Sequence, residues 1–185
     1  MTGPRVFIDM DGVLFDFVTA TSRAHNRPSP YLAARNYGHW DMAKLWNITP
    51  EAFWAPLNYE GFWSNMEPLP YARTLVETCL KYTDNICVLS SPSESKYCVP
   101  EKRASIKKYF PEFGKNILFG ASKQFIAGPN KILVDDYDVN VDKWRGAGGT
   151  ATLWPQPWNS GHQDAGNKAA VLQNLEIYLA SLRQA

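Results

Sequence analysis

Five short apolar runs punctuate the chain, separated by amphipathic or polar stretches. The first, Arg5-Val6-Phe7-Ile8, is continuous rather than alternating, as in a strand buried on both faces. Ile86 to Leu89, Ile117 to Phe119, Lys131 to Val134 and Thr150 to Trp154 predict four more strands. Between them the period changes. Behind Pro70, Tyr71 or Ala72, Leu75, Val76, Cys79 and Leu80 recur at helical spacing and give one apolar face. Pro100 to Phe110 predicts a second helix, stopped by Pro111. A terminal helix is expected from about Asn167 to Arg183, with Val171, Leu175, Tyr178 and Leu182 along one face and Leu172 and Leu179 beside them. Strands separated by helices predict an α/β fold: a Rossmann-like, mostly parallel sheet with helices on both faces.

One region departs from this rhythm. From Phe17 to Pro68 no strand-like run occurs, and aromatic and polar residues are mixed. Thr49-Pro50-Glu51 reads as a helix start, with threonine as cap and proline at the first helical position. Residues 17–68 are therefore expected to form a small helical cap inserted after the first strand. Residues 1–16 and 69–185 would form the core.

Polar residues gather after the strands. Asp9 and Asp11 follow the first, Ser90 and Ser91 the second, and Asp135 and Asp136 the fourth. In an open parallel sheet all three pairs fall on the carboxyl edge, where ligands bind. Two aspartates one residue apart repel unless a cation or a shared proton lies between them. Oxygen ligands of this kind suit Mg²⁺. A calcium loop of the EF-hand type would need a glutamate at its twelfth place, and counting from Asp9 that place is Ala20. Gly12 directly after Asp11 permits a sharp turn and a close approach of backbone to ligand.

Composition narrows the class further. The chain has 185 residues, 45% hydrophobic and 20% charged, within the range of a soluble globular protein. A net charge of +1 argues against long nucleic acid and against a charged membrane surface as partner. Three cysteines, Cys79, Cys87 and Cys98, show no metal spacing and leave one unpaired, which suits a reducing compartment. The first strand begins within a few residues of Met1, leaving no room for a signal peptide, and no apolar run is long enough for a membrane span. A cytoplasmic location is expected.

The motifs resemble those of the haloacid dehalogenase (HAD) superfamily of phosphotransferases. The correspondence runs through Asp9-Met10-Asp11-Gly12-Val13-Leu14, Ser90, Lys123 and Asp135-Asp136. Within that superfamily the chain looks most like the 5′(3′)-deoxyribonucleotidases. The details are Asp16-Phe17, Glu67-Pro68-Leu69-Pro70, Ser91-Pro92, Lys96-Tyr97-Cys98, Glu101-Lys102 and Lys108-Tyr109-Phe110.

The resemblance implies a Mg²⁺-dependent phosphatase acting on nucleoside monophosphates through an aspartyl-phosphate. Asp9 would be the nucleophile and Asp11 the acid and base. Ser90, Ser91, Lys123 and Lys102 would hold phosphate. Asp9, the carbonyl of Asp11 and Asp136 would bind metal, with Asp135 behind them or bound through water. Phe17, His39, Trp40, Asp41 and Trp54 would form the substrate pocket. The partner implied is a small nucleotide, and a homodimer is left open. Four positions depart from the family pattern: His39 where an aromatic hydrocarbon is usual, Tyr137 where arginine is frequent, Ser90 for threonine, and the charge at Asp41. Two competing readings remain at this stage: a phosphatase of the same fold for another small phosphomonoester, and a phospho-accepting receiver domain. A receiver has no cap of about fifty residues after its first strand, and its phosphorylated aspartate ends a later one.

Overall fold

The computed structural model describes residues 4–182. The strands are β1 (Arg5–Ile8), β2 (Ile86–Ser90), β3 (Ile117–Phe119), β4 (Lys131–Asp135) and β5 (Thr150–Leu153). They form one parallel sheet in the order β3-β2-β1-β4-β5. The chain runs outward from β1 through β2 to β3, then returns to the other side of β1 for β4 and β5. The order therefore reverses beside β1, and a crevice opens beyond the carboxyl ends of β1 and β4.

The central strands are buried on both faces, which explains their continuous apolar runs. Val6 and Ile8, Ile86 and Val88, and Ile132 and Val134 belong to the larger apolar cluster. Their alternates Phe7, Leu89 and Leu133 belong to a smaller one. Three helices that follow residue 68 contribute to the larger cluster, α4 (Ala72–Leu80), α5 (Cys98–Tyr109) and α7 (Ala169–Leu182), and Met42, Ala43 and Phe53 join it from before that point. On the opposite face Val141 and Trp144 of α6 (Asp138–Gly146) cover Phe7, with the Phe7 and Trp144 ring centroids 5.3 Å apart.

Helix α5 begins two residues before the expected Pro100, which lies in the first turn where its missing N–H is not needed. Helix α7 presents Leu172, Leu175 and Leu179 most deeply, so its buried face is rotated toward the residues expected beside it. Arg183, its expected end, lies outside the described residues. Helix α6 was not anticipated. Only Val141 and Trp144 of its nine residues are buried, too few for a clear period.

Residues 17–68 contribute no strand to the sheet. They form α1 (Phe17–Ala24), α2 (Met42–Leu45) and α3 (Pro50–Trp54), joined by 3₁₀ turns and loops. Each helix has a side-chain cap: Asp16 accepts from the Thr19 amide, Asp41 from Lys44 and Thr49 from Ala52. The two ends of the segment are stitched together. The Asp16 amide donates to the Glu67 carbonyl at 2.9 Å, and Leu69 donates to Leu14 at 2.9 Å. Glu101 on α5 grips the segment from the core, accepting from the amides of Gly61, Trp63 and Ser64 at 2.7, 3.0 and 3.2 Å. Among the described residues no helix is long and apolar enough to cross a membrane.

Candidate active site

Asp9 lies one residue past β1, and its amide still donates to Val134 across the sheet. The chain then folds back sharply, with the amides of Leu14 and Phe15 both donating to the Met10 carbonyl. Gly12 adopts φ +80° in this turn. A side chain there would place its Cβ 2.1 Å from Asp136 Oδ2, so glycine is required by space as well as by conformation.

The turn sends the two leading carboxylates to different partners. Asp9 Oδ1 pairs with Lys123 Nζ at 2.7 Å, and the same ammonium reaches Asp135 Oδ2 at 2.6 Å. Asp11 pairs with Lys102, whose ammonium also donates to Ser90 Oγ at 2.9 Å and to the Ser91 carbonyl at 3.1 Å. The Lys102 ammonium lies 4.7 Å from the centre of the Trp63 ring. Both lysines are almost completely buried.

Asp9, Asp135 and Asp136 converge, with one oxygen of each within 4.8 Å of the others. Their remaining bonds differ. Asp135 is saturated: it accepts from Lys123, from the Tyr137 amide and from Asn140 Nδ2. Asp136 accepts from Trp158 Nε1 at 2.7 Å through Oδ2, while its Oδ1 is buried with no partner. Three crowded carboxylates with an unsatisfied oxygen fit a hard cation bound through oxygen. The Asp11 side chain belongs to the Lys102 pair rather than to this trio.

Charge crowding shifts these groups. Burial, then repulsion from Asp9 and Asp135, holds the Asp136 carboxyl well above its usual range, with the Trp158 N–H pulling the other way. Burial and Asp9 push Asp135 up to about 6. Burial alone would lower the Lys123 pKa, but Asp9 and Asp135 raise it above its ordinary value. Burial raises the Asp11 carboxyl, an effect that Lys102 opposes.

A cleft of about 1080 Å³ opens over this edge of the sheet. Asp9, Asp11, Ser91 and Asp136 line its floor; Phe17, Trp40, Asp41 and Trp54 line its walls. Ser90 and Lys102 lie behind Asp11, and Lys123 and Asp135 behind Asp9. None of these four lines the cleft. His39 does not line it either: its side chain is exposed and its carbonyl accepts from the Tyr31 hydroxyl at 2.8 Å. Phe17 stacks on Trp63 at 5.9 Å, so much of its ring is packing. Trp40 lies against Tyr137 at 4.3 Å, which covers one of its faces.

Sequence reasoning missed the loop after β5. Gln156 donates to the Gly12 carbonyl, Trp158 to Asp136, and Asn159 Nδ2 to the carbonyls of Asp136 and Trp154 at 2.8 Å each. A signal was present: Trp154-Pro-Gln-Pro-Trp-Asn-Ser is another polar cluster at the carboxyl end of a strand.

Comparison with known proteins follows the same lines. The chain is 32% identical over 145 residues to the mitochondrial 5′(3′)-deoxyribonucleotidase of Homo sapiens, covering 71% of this chain and 61% of that one. It is 28% identical over 150 residues to the human cytosolic type, covering 73% and 71% respectively. The chain thus spans less than two thirds of the mitochondrial relative. A haloacid dehalogenase-like hydrolase from Streptococcus pneumoniae shares the fold at a TM-score of 0.52 and 13% identity, covering 95% of this chain and 98% of that one. A HAD-hydrolase from Bacillus subtilis, bound to magnesium, gives a TM-score of 0.52 at 14% identity, covering 83% and 87%. Residues 4–182 match the model of the family described as 5′ nucleotidase, deoxy (Pyrimidine), cytosolic type C protein. With the match running through nearly the whole chain, this protein belongs to that 5′-nucleotidase family.

Proposed function

We propose that this protein is a Mg²⁺-dependent phosphatase of deoxynucleoside monophosphates, with residues 17–68 acting as the cap that receives the nucleoside. The observation that carries the reading is the separation of Asp9 and Asp11 into unlike environments, one beside Lys123 and the acidic trio, the other buried against Lys102. A nucleophile must be held in one orientation, and Lys123 pairs with one Asp9 oxygen at 2.7 Å. An acid must hold its proton until the leaving group needs it, and burial of Asp11 favours that.

In this mechanism an Asp9 oxygen attacks phosphorus as the ester P–O bond breaks, and Asp11 passes its proton to the departing nucleoside oxygen. The Asp11 carboxylate then takes a proton from water. That water attacks the phosphorus of the aspartyl-phosphate, the P–O bond to Asp9 breaks, and phosphate leaves. The sum is ester plus water giving alcohol plus phosphate. Splitting one displacement into two is the advantage of the covalent route. Lys123 holds Asp9 in place and offsets charge, and Ser91 lines the floor where phosphate oxygens would lie. Lys102 orients Asp11 and Ser90 from behind. Asp9 and Asp136 would hold Mg²⁺, which would supply positive charge to offset that of the phosphate and the nucleophile. Asp135 acts through Lys123.

The walls support a nucleoside-sized substrate. Trp54 and the uncovered face of Trp40 offer aromatic surface to the cleft. The names of the relatives support deoxynucleotides as the class. A phosphate-release screen over deoxy- and ribonucleoside monophosphates, with and without Mg²⁺, tests the reading. Release that requires Mg²⁺ and favours deoxynucleotides is expected. Release from small aryl or sugar phosphates but from no nucleotide would overturn the substrate class.

A further inference from the structure

We propose that Trp158 is a positioning residue for the metal site: its indole N–H pins one oxygen of Asp136 so that the other is presented to the cation. This rests on Asp136 being a metal ligand, as in the reading above.

The geometry is specific. Trp158 Nε1 donates to Asp136 Oδ2 at 2.7 Å, and Asp136 Oδ1 is buried with no partner. An indole N–H donates and never accepts, so it can bond only a lone pair on Oδ2. A carboxylate held by one oxygen offers the second in a fixed direction, as partners behind a ligand generally do. The main chain of Asp136 is held too, because Asn159 Nδ2 bridges its carbonyl and that of Trp154. On the third side stands Gly12, where a Cβ would meet Asp136 Oδ2 at 2.1 Å and Trp158 Cζ2 at 2.9 Å. Asp136 therefore has little room to turn away once the indole is in place. The same ring packs against Tyr31 at 5.3 Å and meets Trp40 edge-on at 6.4 Å, so Trp158 also touches the helical segment.

Packing and donation are separable. Trp158→Phe keeps an aromatic ring against Tyr31 and Trp40 but has no donor; Trp158→Ala removes both. Calorimetric titration with Mg²⁺ alone, without substrate, should show Trp158→Phe binding about tenfold more weakly than wild type, which is about 1.4 kcal/mol. Its melting temperature in EDTA should stay near wild type. In the unaltered protein the assigned Trp158 indole N–H resonance should exchange slowly and shift on adding Mg²⁺, a readout that needs no variant to fold. Wild-type Mg²⁺ affinity in Trp158→Phe, or no resonance shift at saturating Mg²⁺, overturns the positioning role alone. A loss of affinity matched by an equally lowered melting temperature in EDTA assigns Trp158 to packing and also overturns it. Wild-type protein that binds no Mg²⁺ overturns the metal reading itself, and the positioning role with it.

Discussion

The carboxyl edge of the sheet and the helical segment above it are built on opposite principles. At the edge the charged groups are buried and held by several bonds each: Lys123 by two carboxylates, Lys102 by Asp11, Ser90 and a carbonyl. In the segment the rings of Phe17, Trp40 and Trp54 face the cleft and are held by contact alone, and Trp40 and Trp54 are 43% and 45% exposed. Phosphorus chemistry requires groups fixed to fractions of an ångström, which buried ion pairs on strand ends provide. Recognition of a flat base requires aromatic area, which an exposed ring supplies without a fixed bond. On the proposed function, the edge would serve one reaction, while the wall could change its substrate by exchanging a ring.

The largest expected effect breaks the edge. Asp9→Asn keeps the shape and removes the proposed nucleophile, so turnover should fall by about 10⁴ or more, with an unchanged far-UV spectrum. Residual turnover close to wild type would move the nucleophile elsewhere.

Within the edge, the neighbours Asp135 and Asp136 should separate. Asp135→Ala strands the buried Lys123 with Asp9 alone and leaves Asn140 unpaired, so it should cost about 3–5 kcal/mol in a denaturant titration. Asp136→Ala removes the oxygen that has no protein partner. It should weaken Mg²⁺ binding more than Asp135→Ala does while costing less stability. The reverse order in calorimetry would exchange the two roles.

Changes in the wall should be smaller and confined to the nucleoside. Trp40→Ala and Trp54→Ala should each raise KM for a deoxynucleoside monophosphate about tenfold, in line with about 1–3 kcal/mol for a stacked base. Hydrolysis of a small aryl phosphate should hardly change. Equal losses on both substrates would mean that these rings only hold the segment together.

The smallest effect lies outside the comparison and calibrates it. Lys168 is buried with no hydrogen-bond partner, its ammonium facing the Trp154 ring at 5.6 Å, and burial lowers its pKa to about 8. A lysine whose pKa falls on folding penalises the folded state fully below the folded value. The penalty disappears as pH rises toward the unfolded value near 10.5. Lys168→Met should therefore raise the melting temperature at pH 7 by about 2–4 °C per kcal/mol gained, with the gain shrinking between pH 8 and 10. A gain independent of pH would assign the effect to packing rather than to charge.

Which residues gather at the carboxyl edge was largely legible in the chain. Continuous runs such as Val6-Phe7-Ile8 and Ile132-Leu133-Val134 announce strands buried on both faces, and the residues just beyond their ends must share one edge. Topology then brings Asp9, Asp135 and Asp136 together whatever their distance along the chain. Local capping chemistry was legible as well, as at Thr49-Pro50. The direction of a side chain was not. Ser90 and Ser91 are adjacent in one motif, yet only Ser91, just past the end of β2, lines the cleft, while Ser90 is buried against Lys102. His39 and Trp40 diverge likewise, and Tyr137 covers a face of Trp40 from across the cleft. The loop at Gln156, Trp158 and Asn159 acquires its role only through bonds to Gly12 and Asp136. Spacing along the chain determined which residues reach the edge, because strand direction is a local property. Which oxygen each donor holds was decided by contacts between distant segments, and these exist only once the sheet has closed.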